Sequence, residues 1–112
     1  METMWMASDM KKDYSVNEIR DILRPVFESA PVYSAILFGS YAKGQATEKS
    51  DIDIVIDSHG ELLNINFYGV LEDITQALGK PVDLIEMSEI RPESPIKDVL
   101  MNEGVVLYDR QG

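Results

Sequence analysis

Apolar residues fall into two alternating rhythms along this chain, one helical and one extended. Val16, Ile19, Ile22, Leu23, Val26 and Phe27 follow helical spacing. They are preceded by Ser15-Val16-Asn17-Glu18, which has the form of a capping box, with Tyr14 and Ile19 placed as a hydrophobic staple. Pro25 falls inside the pattern, so this helix is expected to kink or to end early. Tyr33 to Phe38 is a short β-prone run between Pro31 and Gly39, and Ile52 to Ile56 is the next. A long helical pattern covers Glu61 to Leu78, with Leu63, Phe67, Val70, Leu71, Ile74 and Leu78 on one face, Gly69 weakening it and Gly79 as its stop. Pro81 to Glu86 reads as a third strand. Ser94 and Pro95 mark the start of a last short helix stopped by Gly104, and Val105 to Tyr108 reads as an edge strand.

The order is therefore α-β-α-β-α-β-α-β, an α/β (α+β) fold. Only Gly39 to Asp51 separates the first two strands, and part of that is a helical turn or two. A parallel crossover usually needs a dozen or more residues including its helix, so the spacing leans towards an antiparallel or mixed sheet of about four strands. At 112 residues one domain is expected, spanning 14–112 behind a loose methionine-rich extension, residues 1–13, in which Met4, Met6 and Met10 are alternative starts.

Composition narrows the chemistry. With no cysteine, disulfides, thiolate metal sites and cysteine nucleophiles are excluded. The single histidine, His59, excludes a His-cluster zinc site and argues against a Ser-His-Asp triad. No apolar run approaches a membrane span and no signal-peptide core is visible, so a cytoplasmic protein without a membrane partner is expected. A formal charge of −10 repels phosphate backbones, which argues against direct nucleic-acid binding and favours a basic protein partner, although solubility alone also accounts for it.

The stretch from Ile36 to Asp57 carries the candidate site. Asp51 and Asp53 lie two apart and share a face, while Ile52, Ile54 and Ile56 share the other. Twice the strand rise separates the two acids by about 6.6–6.8 Å at Cα, which suits side chains converging on catalytic metals roughly 3.5–4 Å apart. Asp83 opens the next strand. Aspartate is depleted in strands, and clustered carboxylates repel one another unless something neutralises them. Each could simply cap a loop or face water; that reading is preferred for Asp57, but not for three acids beside a Gly-Ser turn. Oxygen ligands without Cys or His point to Mg²⁺ or Mn²⁺. Gly39-Ser40 ends a strand and begins a helix, where backbone N–H groups favour anions. Lys43 and Gly44 follow, and Lys43 can reach a phosphate as a point charge, though a lone lysine is more often a solvated one. A phosphate cradle beside a carboxylate clamp implies metal-assisted nucleotidyl or phosphoryl transfer. No Walker-type run is present, which argues against a P-loop ATPase.

Phe38-Gly39-Ser40-Tyr41-Ala42-Lys43-Gly44, Ser50-Asp51-Ile52-Asp53 and Val82-Asp83-Leu84 together resemble the DNA polymerase β-type nucleotidyltransferase superfamily. The match is to its minimal nucleotidyltransferase branch, usually the antitoxin of HEPN/MNT toxin–antitoxin pairs. Lys43 stands where many relatives carry Arg, which retains charge but not bidentate phosphate contact. The resemblance implies that Asp51 and Asp53 hold two Mg²⁺ ions against ATP, and that Asp83 completes one metal site and helps deprotonate the acceptor. Gly39 and Ser40 would bind the β- and γ-phosphates. It implies AMP transfer to a hydroxyl, commonly a tyrosine of a HEPN ribonuclease toxin held in a hetero-oligomer. Two alternatives are a non-catalytic antitoxin that neutralises by binding, and the catalytic subunit of a small-molecule, aminoglycoside-type nucleotidyltransferase. A chain little larger than a catalytic core has no spare domain for choosing an acceptor, which favours a docked partner.

Overall fold

The computed structural model describes residues 14–47, 49–62 and 65–110; the N-terminal stretch and Leu63 lie outside them. Helix α1 spans Val16–Glu28, strand β1 Ser34–Phe38, helix α2 Ser40–Lys43 and strand β2 Ile52–Asp57. Helix α3 spans Ile65–Leu78, strand β3 Val82–Glu86, helix α4 Pro95–Glu103 and strand β4 Val105–Asp109. A 3₁₀ turn, Met87–Glu89, follows β3. The four strands form one sheet in the order β3-β2-β1-β4. β1 pairs antiparallel with both β2 and β4, and β2 pairs parallel with β3. The sheet is therefore mixed, within the antiparallel-or-mixed expectation, the short β1–β2 connection joins an antiparallel pair, and β4 is an edge strand.

The alternation along β2 divides the protein. Ile52, Ile54 and Ile56 are fully buried in the main core, with Ile19, Leu23 and Phe27 of α1 and Val70, Ile74 and Leu78 of α3. On the opposite face Val55 joins Ile90 and Leu100, with Ile36, Phe38, Ile85 and Ile96 packed against them, so α4 covers that side. Gly104 lets the end of α4 lie against β1, since a Cβ there would meet Ile36 and the Leu100 carbonyl.

Local chemistry explains the helix ends. The capping box forms: Ser15 Oγ accepts from Glu18 N at 3.1 Å, and Glu18 Oε1 accepts from Ser15 N at 2.8 Å. Helix α1 continues through Pro25 to Glu28. Proline removes one donor here, but its carbonyl still accepts from Ser29 N, and buried Phe27 ties the last turn to the core. Helix α3 is described over Ile65–Leu78, and Glu61 and Leu62, which its periodicity includes, are not helical. Ser58 Oγ captures Leu62 N at 3.0 Å, and the Ser58 carbonyl accepts from Glu61 N, so this segment is a turn with Leu62 buried. Ser94 Oγ caps Ile96 N with Pro95 in the first turn, as expected.

Candidate functional site

Pairing register assembles the site. Asp53 lies opposite Phe38, the last residue of β1, in the antiparallel pair and beside Asp83 in the parallel one. The chain then leaves β1 through Gly39 into α2, so the Gly-Ser turn and two carboxylates meet at one corner of the sheet. Asp51 is exposed and immediately precedes β2. Asp53 and Asp83 are neighbours across adjacent strands and share the sheet face carrying Val55 and Ile85.

Gly39 has a structural reason to be glycine. Its φ of 77° with ψ −155° is a backbone conformation essentially confined to glycine, and a Cβ built there would collide with the Asp53 carboxylate. The main chain at the start of α2 therefore presses directly on Asp53. Ala42 N and Lys43 N donate to the Gly39 carbonyl at 3.1 and 3.2 Å. The first N–H groups of a helix have no partner within it, and α2 starts at Ser40, directly after the glycine that abuts Asp53. Gly44, at φ 72°, is the left-handed cap that ends α2, with its N–H turned back to the Ser40 and Tyr41 carbonyls. Lys43 is directed elsewhere: its Nζ pairs with Glu103 at the end of α4, 3.2 Å away, and both side chains remain about half exposed.

Burial, with Asp83 and then Asp51 as like charges, pushes the Asp53 carboxyl above its ordinary range. Asp57 sits at the far end of β2 and serves a loop, accepting from His59 N at 3.0 Å, which matches the expectation for it.

Among the described residues, no group of three or more His, Cys, Asp or Glu side chains is gathered closely enough to hold a metal by itself. The donor set nevertheless fits a hard divalent cation. Mg²⁺ is characteristically held by one or two carboxylates and completed by substrate phosphate oxygens and water. A half-buried carboxylate destabilised by two neighbouring acids, against backbone that only glycine permits, provides that incomplete shell.

Sequence reasoning missed Glu86. This carboxylate is 2% exposed and accepts four hydrogen bonds, from Ser58 N and Oγ at 2.7 and 2.5 Å and from Ser88 N and Oγ, both at 2.8 Å. Burial alone would raise its pKa, but those bonds outweigh it and hold the carboxyl below the usual range. A signal was available. Glu86 shares parity with buried Leu84, so an acid was aimed at the core.

Comparison with known proteins agrees with this geometry. The nucleotidyltransferase domain family model matches residues 16–107. A Methanocaldococcus jannaschii protein, named as a candidate protein adenylyltransferase, is 34% identical over 92 residues, covering 81% of this chain and 96% of its own. A crystal structure of a toxin–antitoxin with AMP-PNP has a chain that is 26% identical, with a TM-score of 0.67, covering 88% of this chain and 76% of that one. A tri-AMPylated Shewanella oneidensis HEPN toxin in complex with its MNT antitoxin matches at 25% identity and a TM-score of 0.58, over 86% of this chain and 71% of that one. The family match over residues 16–107 and the 34%-identical relative thus place the chain in the nucleotidyltransferase family, as a minimal enzyme whose mixed four-stranded sheet has the polymerase β-like fold.

Proposed function

We propose that this enzyme transfers AMP from ATP to a hydroxyl, a tyrosine of a HEPN-type ribonuclease toxin, and acts as that toxin's antitoxin. The observation that carries the reading is the register that sets Asp53 between the Gly39 turn and Asp83. The names of the similar proteins support the partner: one is a candidate protein adenylyltransferase, and another is the antitoxin bound to an AMPylated HEPN toxin.

Asp51, Asp53 and Asp83 would hold Mg²⁺. When bound, the cation neutralises phosphate charge and favours reaction at the α-phosphorus. Gly39 and Ser40 would receive the β- and γ-phosphates, through backbone N–H groups and the Ser40 hydroxyl. Asp83, exposed on the edge strand β3, would take the acceptor's proton as the acceptor oxygen bonds to the α-phosphorus. The α–β phosphoanhydride then breaks and pyrophosphate leaves. Lys43 would act only after release from Glu103. Gly44 serves by ending α2 with the left-handed turn the cradle needs.

The test is label transfer from α-labelled ATP with Mg²⁺ to a HEPN toxin, comparing wild type with Asp51→Asn and Asp53→Asn. Loss of transfer in both variants is expected. Full labelling by Asp53→Asn would sink the reading. Neutralisation by a variant that no longer labels the toxin would favour the binding-only antitoxin, and labelling of aminoglycosides in place of protein would favour the small-molecule enzyme.

A further inference from the structure

β3 carries Asp83 and is an edge strand, with no described strand on its outer side. Along that edge runs an open groove of about 520 Å³. Leu84 and Ile85 of β3 line it on one side, and Phe67 and Tyr68 of α3 on the other. On the α3 side an aromatic ring faces solvent: Tyr68 is 65% exposed. Charge on the groove has one sign. Glu86 lines it as a fixed anion and Glu89 stands exposed at its end. Glu72, one turn beyond Tyr68, is exposed as well.

We propose that this groove receives an extended, lysine- or arginine-bearing segment of the partner protein, added as a strand to the free edge of β3. The inference rests on the adenylyl-transfer reading for the identity of the partner, and adds where and how it docks. Three observations select this occupant. An edge strand offers unpaired main-chain groups to an extended peptide. The exposed aromatic beside it is the residue type that anchors interfaces. The acidic lining and the net charge of −10 select a basic segment over an acidic one. The geometry also links docking to chemistry. An added strand lies about 4.8 Å from β3. A side chain on it opposite Asp83, on the same face, therefore stands beside that carboxylate. The acceptor is thus presented by pairing main chain to main chain.

The test uses a synthetic Lys/Tyr copolymer as a probe of the basic segment, a Glu/Tyr copolymer as its charge-reversed control, and amide hydrogen exchange in the absence of ATP. The Lys/Tyr copolymer should protect the amides of residues 82–86, and the Glu/Tyr copolymer should not. Tyr68→Ala and Glu89→Lys change exposed side chains, so folding should persist, checked by an unchanged Tm, while affinity falls about tenfold in each. Protection at β4 or nowhere, equal binding of both copolymers, or a dimer of this chain that Tyr68→Asp converts to monomer would each overturn the proposal. Failure of the two ideas is separable. Protection without label transfer rejects the adenylyl-transfer reading alone, whereas toxin labelling unaffected by the groove variants rejects the docking site alone.

Discussion

Asp53→Asn should remove activity and yet stabilise the metal-free protein. The substitution keeps shape and deletes one charge from a carboxylate that feels Asp83 and, more weakly, Asp51. Asp51 stands two residues away in the folded and unfolded chain alike, so most of its repulsion cancels. Asp83 becomes a neighbour only when β2 and β3 pair. Charges about 5 Å apart repel by roughly 0.8 kcal/mol in bulk water and roughly 3 kcal/mol at an effective dielectric of 20. Asp53 is half-buried but Asp83 is exposed, so solvent screening draws the figure towards about 1 kcal/mol. In a domain of about this size that corresponds to a Tm increase of roughly 4–8 °C. The sign follows from linkage. A carboxyl raised above its unfolded pKa costs no stability below both values, because it is protonated in both states. Stability is lost as pH rises from the ordinary carboxylate range through the raised folded value. The advantage of Asn should therefore be absent in strong acid and complete near neutrality. Thermal unfolding of both proteins in EDTA, across that pH range, measures it; excess Mg²⁺ should stabilise the wild type and leave the variant nearly unchanged. A variant less stable than wild type in EDTA at neutral pH would refute the electrostatic account.

Gly39→Ala should lose about 1–3 kcal/mol, because φ 77° with ψ −155° is a backbone conformation essentially confined to glycine. Because its Cβ displaces the Asp53 carboxylate, transfer should also fall by on the order of a hundredfold, read from initial rates in protein that is still folded. Glu86→Ala should cost roughly 2–4 kcal/mol, by leaving the buried Ser58 N–H and hydroxyl unpaired, and the urea midpoint reports it. Because the Glu86 carboxyl is held low, its contribution is complete above the unfolded carboxylate pKa and is lost as pH falls through the folded value. The difference between wild type and variant should therefore shrink in acid.

What could be read in the sequence was whatever short-range chemistry decides. The capping box at Ser15, the Ser94-Pro95 helix start and the Gly79 stop depend on residues within a turn of one another, and each formed. The length of the β1–β2 connection leaned away from a parallel crossover, and β1 and β2 do pair antiparallel. Long-range partners were hidden. Lys43 looked like a phosphate ligand because nothing local opposes that role, but the charge that holds it is Glu103, brought alongside only when α4 packs on the sheet. Helical periodicity from Glu61 could not compete with a serine hydroxyl that takes the Leu62 N–H. The site itself lies between these cases. Strand parity put Asp51 and Asp53 on one side, whereas only register could make Asp83 the neighbour of Asp53 rather than of Asp51 or Val55. A slip of one residue would turn Asp83 to the face of Ile52 and Ile54, burying an unpaired charge in the main core. Leu84 and Glu86 resist that slip from the other end, the first by filling the core and the second by binding Ser58 and Ser88. The buried carboxylate that looks least related to catalysis thus helps to keep the exposed one in place.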